Sequence, residues 1–249
     1  MLGEKPHRTG LARALSKSGY CSRSSACKLI GEGRVRLNGR VMRDPETPVV
    51  LRQDAIEVDG NELDPAKKVY LVMNKPRGIV TSASDEKGRD TVYSLLPQFQ
   101  PRIAPVGRLD KASEGLLLLT NDSEWGARIV SPEKHIEKTY HVQVGTVADD
   151  ELILRLTAGT RTTAGEFLTV KRAAIVRAGL KNSWLEIVLD EGRNRHIRRL
   201  LAGMDVLRLI RIAIGSLQLG ELAKGRVREL TQEEKSALDK AAASSKPNS

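Results

Sequence analysis

The sequence is short of several things, and each shortage narrows what the protein can be. Of its 249 residues only two are cysteine, Cys21 and Cys27, and four are histidine. Two thiols alone supply neither a structural zinc site nor a disulfide framework, and the histidines are scattered. No metal is expected, and a reducing cytoplasm suits the chain. Aromatic residues number eight, or 3%, and only Tyr20 falls within the basic stretch at 8–43, so that stretch is not expected to grip single strands by stacking successive bases. Long apolar runs are missing as well. Leu116 to Leu119 is the longest unbroken leucine run, far below the roughly 20 apolar residues that span a bilayer. The opening Met1-Leu2-Gly3-Glu4-Lys5-Pro6 has no apolar signal core. Neither a membrane nor export is expected. No P-loop pattern or internal repeat occurs, so no nucleotide cofactor is implied.

What remains is an ordinary globular composition, 40% hydrophobic and 29% charged, with an unusual balance of +10 and a pI near 9.7. Such a balance points to a polyanionic partner. The charge is uneven. Residues 8–43 hold nine basic residues (Arg8, Arg13, Lys17, Arg23, Lys28, Arg34, Arg36, Arg40 and Arg43) against one acid, Glu32. Within this stretch Leu11, Ala14 and Leu15 mark a short helix that stops near Gly19. Ser22 is a good N-cap for a second helix carrying Ala26, Leu29 and Ile30. Val35 and Leu37 then alternate with Arg34 and Arg36 before Asn38-Gly39, a strong hairpin signal. One face of that hairpin is apolar and the other carries arginine. Most charge runs are merely solvated surface, but this one has a single sign and sits within a compact unit.

Residues 61–68 are polar, contain Pro65 and lack periodicity, so they read as a linker. Beyond them strands are expected at 69–73, 116–120, 140–144, 168–176, 184–189 and 206–214. Helices are expected at 124–130, 149–156 and 194–202. Many strands with few intervening helices predict an α+β protein. A small N-terminal ααβ-type domain at 8–60 precedes a domain at 69–230 whose mixed, largely antiparallel sheet is flanked by helices. Residues 231–249, with their Ala-Ser run and Pro247, read as a disordered tail.

Three segments carry chemistry. Gly107-Arg108-Leu109-Asp110 places a carboxylate in a glycine-bounded loop that leads into the apolar run at 116–119. Lys138-Thr139-Tyr140 opens a strand with one of the few aromatic residues. Glu191-Gly192-Arg193-Asn194-Arg195-His196-Ile197-Arg198-Arg199 would put Arg195, Arg198 and Arg199 on one side of a helix. Alone, Asp110 could cap a turn, Tyr140 could be packing, and the arginines could be a phosphate-binding or a solvated face.

Their order, after Lys75-Pro76-Arg77-Gly78, strongly resembles the RsuA/RluB family of ribosomal RNA pseudouridine synthases. The upstream stretch Leu11-Ala12-Arg13-Ala14-Leu15, Gly19, Ser22-Arg23 and Gly33-Arg34-Val35 resembles an S-four-like RNA-binding domain. The resemblance implies a pseudouridine synthase fold and conversion of a uridine in ribosomal RNA to pseudouridine without cofactor. The RNA would be 23S or 16S, with 23S slightly favoured by Lys111-Ala112-Ser113-Glu114-Gly115, and the enzyme a monomer. It further implies that Asp110 acts at the ribose, either adding to C1′ or removing the C2′ proton. Arg198 would pair with Asp110, and Tyr140 would stack on the base and assist removal of the C5 proton. Lys75-Pro76 would brace the loop. Arg8, Arg13, Lys17, Arg23, Lys28, Arg34, Arg36, Arg40, Arg108, Arg193, Arg195 and Arg199 are the expected RNA contacts. His196 stands where the family commonly has Gln, Glu or Met. A binding-only protein would have lost Asp110, Tyr140 or Arg198. A DNA-reading regulator would need a recognition helix other than the Ser-, Ala- and Cys-rich second one.

If residues 8–43 hold RNA mainly through phosphates, each neutralised phosphate adds about 0.7 to the slope of log affinity against log salt. Deleting residues 1–60 is therefore expected to flatten that slope in a filter-binding titration across salt. An unchanged slope would place the phosphate contacts elsewhere.

Overall fold

A computed structural model describes residues 8–51, 53–63, 67–82, 88–96, 103–162 and 165–244. The chain folds as two compact units. Of the described residues, one holds those up to 69 with 103–104 and 120–124, and the other holds the remainder. No helix among the described residues is long and apolar enough to cross a membrane.

The first unit contains β1 (Arg8–Gly10), α1 (Leu11–Lys17), α2 (Arg23–Gly31), β2 (Val35–Leu37), β3 (Arg40–Met42), β4 (Pro48–Val50), β5 (Ile56–Val58) and β6 (Asn61–Glu62). Ser22 caps α2 as expected, its side chain accepting from the Ser25 amide at 3.1 Å. The apolar stripes of both helices meet the inward face of β2 and β5. Leu11, Leu15, Ala26, Ile30, Val35 and Val58 are buried there together. The hairpin at Asn38-Gly39 forms with both residues at positive φ, 51° and 78°, as a tight primed turn requires. The expected linker is corrected at its start. Asn61 and Glu62 pair with β5, and Leu63 packs on this core. The remainder of the linker lies partly outside the described residues.

The second unit is built on a nine-stranded sheet. Its strands are β7 (Tyr70–Lys75), β8 (Ala104–Val106), β9 (Glu114–Thr120), β10 (Lys138–Val144), β13 (Arg172–Ala178), β14 (Ser183–Leu189), β15 (Val206–Ile214), β16 (Leu217–Gln218) and β17 (Val227–Glu229). A two-stranded pair, β11 (Thr160–Arg161) and β12 (Phe167–Leu168), stands apart. The helices are α3 (Ser123–Val130), α4 (Asp150–Ala158), α5 (His196–Leu200) and α6 (Gln232–Ala243). The sheet runs β13-β14-β10-β15-β9-β7-β17, and β15 with β9 is a parallel pair. Every residue of β9 is buried, including Leu116 to Leu119 at 0% exposure, which accounts for a continuous apolar run rather than an alternating one. Parallel contact with β15 is closest at Gly115, where φ is +100° and an added Cβ would lie 2.3 Å from the Arg211 carbonyl oxygen. Only glycine fits.

The expectation of a disordered tail from 231 onward is overturned. Thr231 and Glu234 form a reciprocal capping box that starts α6. Leu238 and Ala242 are buried against Val72, Leu116, Trp125, Ile129 and Ile214. The indole N–H of Trp125 donates to Asp239 at 2.7 Å. The second unit thus extends past the expected boundary at 230, and residues 245–249 lie outside those described. The expected strand at 168–176 is interrupted. It splits into β12 and β13.

Truncating Leu238 to alanine removes a fully buried side chain and is expected to destabilise the fold by about 2–5 kcal/mol. A urea-denaturation midpoint equal to that of the parent would show that α6 adds nothing to the core.

Candidate active site

A cleft of about 260 Å³ opens in the second unit, lined by the loop at 106–113, one face of β10 and β15, and the turn at 192–198. Its floor follows from strand alternation. Lys138 and Tyr140 are two apart on β10 and point to the same side. Directly opposite on β15 stand Ile214 and Arg211, and on β14 Leu189 faces Lys138. All five line the cleft. The register of β10 with β15 shifts between Thr139 and Tyr140, a bulge of the kind that re-aims side chains beside functional sites.

Asp110 reaches this floor because its loop is staked from below. Lys75, at the end of β7, is 0% exposed. Its ammonium donates to the carbonyls of Pro76 at 3.1 Å, Asp110 at 3.2 Å and Ser113 at 2.9 Å. Burial pushes this lysine down to about 8, while Asp110 and Glu114 favour its charge. Thr81 donates its hydroxyl to the Leu109 carbonyl at 2.8 Å, and the Gly78 amide donates to Lys111 at 2.8 Å. The Ser113 amide closes the turn on the Asp110 carbonyl at 2.9 Å. Asp110 itself is half-buried, and its carboxylate has no ion pair or hydrogen bond among the described residues. Lys75 therefore braces the loop, as the sequence suggested, through three backbone carbonyls.

Arg198 is brought to the same cleft but does not pair with Asp110 as expected. Its Nη2 donates to the Ala112 carbonyl at 3.1 Å, and its Nε is buried without a partner. Burial lowers its pKa, and the Asp110 charge opposes that shift at longer range. The guanidinium thus ties the loop beside Asp110.

The expected helix at 194–202 is shorter, His196–Leu200. Arg195 precedes it in a left-handed conformation, φ 48°, so it does not share a helical face with Arg198 and Arg199. It stands exposed on the cleft wall, as does Arg108. Arg193 also lines the cleft but is held by Glu166 at 3.1 Å and Glu191 at 2.9 Å. Arg199 is taken up by Glu166 and lies outside the cleft lining. His196 is 4% exposed, and burial lowers its pKa from the usual imidazole range. Its ring lies by the Thr169 backbone without reaching hydrogen-bond geometry.

In the first unit the expected contacts divide in two. Arg34 is clamped by Asp59 at 2.6 and 2.8 Å, Arg23 pairs with Glu46 at 3.3 Å, Lys28 with Glu32 at 3.9 Å, and Lys17 with Glu124. Arg8, Arg13, Arg36 and Arg40 are exposed and make no ion pair among the described residues.

Two cleft residues were not singled out in the sequence. Arg211 is 6% exposed, donates Nε to the Leu116 carbonyl at 2.7 Å, and leaves Nη2 buried without a partner. Lys138 opens the Lys138-Thr139-Tyr140 segment. Its position two residues before Tyr140 on a strand was the available signal. Of the described side chains with buried polar atoms lacking a partner, Ser113, His196, Arg198 and Arg211 all line the cleft. Unpartnered buried groups gathered at one cavity mark a place built for a polar ligand.

Comparison with known proteins shows the family of the chain. Residues 69–203 match the RNA pseudouridylate synthase family model. The chain belongs to that family. Residues 9–56 match the S4 domain. An RNA pseudouridine synthase of Aquifex aeolicus is 41% identical over 91% of this chain and 92% of its own length. The ribosomal large subunit pseudouridine synthase B of Bacillus subtilis is 36% identical over 90% of this chain and 93% of its own. A crystal structure of a pseudouridylate synthase superposes with a TM-score of 0.64 at 30% identity, covering 92% of this chain and 99% of that one. This pseudouridine synthase is thus of the RsuA/RluB type, with an N-terminal S4 domain and a mixed sheet flanked by helices.

Replacing Lys75 by methionine leaves three carbonyls without their donor. About 1–3 kcal/mol of stability is expected to be lost, together with a fall in kcat larger than the change in KM. Equilibrium unfolding and single-turnover kinetics read both; unchanged values would show that the loop is held by other means.

Proposed function

We propose that this enzyme converts a uridine of ribosomal RNA into pseudouridine, with Asp110 acting at the ribose and no cofactor taking part. The observation that carries this reading is that Asp110 supplies the sole carboxylate lining the cleft among the described residues, in one cavity with Tyr140, Arg198 and Arg211. In the reaction the bond from C1′ to N1 breaks, the uracil turns in place, and C5 bonds to C1′. A carboxylate beside the ribose can add to C1′ or take the C2′ proton, and a cleft ringed by cations suits a base that departs with negative charge. Tyr140 on the floor offers a flat face for the detached base. Arg198 holds Ala112 and so keeps Asp110 directed inward.

A uridine within folded RNA must be unstacked and flipped to reach such a cleft. Arg108 and Arg195, exposed on its wall, are placed to hold the strand from which it came. Arg8, Arg13, Arg36 and Arg40 supply free charge for phosphates in the S4 domain, which holds RNA by shape and backbone. The name of the Bacillus relative favours the large ribosomal subunit as the source of the target.

Asp110→Asn is nearly isosteric and is expected to abolish pseudouridine formation while retaining the parent's melting temperature and RNA affinity. Pseudouridine formed by the purified variant above a no-enzyme control would remove Asp110 from the chemistry. Mapping ribosomal RNA from cells with and without the gene is expected to show one lost signal in the large-subunit RNA.

A further inference from the structure

The isomerisation needs a second event that Asp110 does not perform. Once C5 has bonded to C1′, that carbon still carries its hydrogen, and the ring is neutral with a double bond between N1 and C6. Aromatic conjugation returns only when a base takes the C5 proton. The electron pair of the C5–H bond then forms the C5–C6 double bond, the N1–C6 pair moves to N1, and N1 takes a proton. No oxidant or co-reactant is needed, because one proton is removed and one is added.

Two groups on the cleft floor carry an atom that can accept a proton, Tyr140 and Lys138. They share one face of β10. Lys138 has Leu189 and Ile214 as its cross-strand neighbours on either side, and it has neither an ion pair nor a hydrogen bond among the described residues. A lysine in an apolar slot with no acid in contact is placed to be uncharged for part of the time, and an uncharged amine accepts a proton far more readily than an uncharged phenol. We propose that Lys138 is the general base that removes the C5 proton, and that Tyr140 serves as the stacking platform.

Electrostatics agree with the geometry. Burial, reinforced by the Arg211 guanidinium, pushes Lys138 down to about 8, and Asp190 opposes that shift. The other charged side chains lining the cleft are Asp110, Arg108, Arg193, Arg195, Arg198 and Arg211, and none is bonded to it.

This inference rests on the isomerase reading, and 5-fluorouridine separates the two. Fluorine cannot leave as a cation, so an RNA carrying 5-fluorouridine passes through cleavage and C5–C1′ bonding but never needs the base. Lys138→Met is expected to slow pseudouridine formation from uridine on the order of 100-fold, while consuming 5-fluorouridine RNA at the parent's rate. A deuterium at C5 is expected to slow the variant visibly. Lys138→Arg, which keeps the charge but cannot give up its proton, is expected to show the same split and guards against a folding defect in the first variant. Small primary amines are expected to restore turnover in Lys138→Ala. Equal losses on both RNAs would make Lys138 a binding residue and overturn the proposal, as would parental turnover of uridine in either variant. Asp110→Asn is expected to block both RNAs; if it consumed 5-fluorouridine, the isomerase assignment of Asp110 would fail without touching Lys138.

Discussion

One ammonium group, that of Lys75, holds the site together. Its three carbonyl contacts draw the ends of the 110–113 turn onto the end of β7, so Asp110 projects from a closed bracket rather than a swinging loop. Burying a charged group is costly unless its donors are satisfied, and here all three bonds go to backbone that must be fixed in any case. The arrangement converts a desolvation penalty into positional accuracy. Arg198, holding Ala112 from the other side, acts on the same turn.

The floor depends on a different constraint. Parallel contact of β9 and β15 is possible because Gly115 lets the Arg211 backbone approach. That contact sets where Arg211 stands, and the bulge opposite Thr139 and Tyr140 sets which way it faces relative to Tyr140. A carboxylate on a braced loop and a cation on a braced strand are thus aimed at one volume by two separate devices. The surrounding positive charge suits a polyanionic partner.

Much of this was legible in the sequence because its signals are local. Val206–Ile214 alternates and forms a strand with the expected bounds, and the Ser22 cap and the Asn38-Gly39 turn are short-range patterns that nothing overrides. Asp110, Tyr140 and Arg198 could be nominated from their motifs and do meet in one cleft. Where the reading failed, the missing information was tertiary. Arg195 takes a left-handed conformation that shortens the helix after it, and no periodicity reveals that. Arg198 was expected on Asp110 but is committed to a carbonyl. The C-terminal helix was missed because its apolar content is slight, Leu238 and Ala242 amid Lys, Glu and Ala. Its capping box at Thr231 and Glu234 was there to be read.

That last helix has a consequence for synthesis. Trp125 and Ile129 emerge from the ribosome about a hundred residues before Leu238 and Ala242, which cover them. Until residue 242 has been made, the nascent chain carries an open apolar face beside an otherwise formed sheet. Such a face is the kind of surface that chaperones hold and proteases find. A message cut short within its last coding stretch would therefore yield a polypeptide with its cleft sequence complete and its core unsealed.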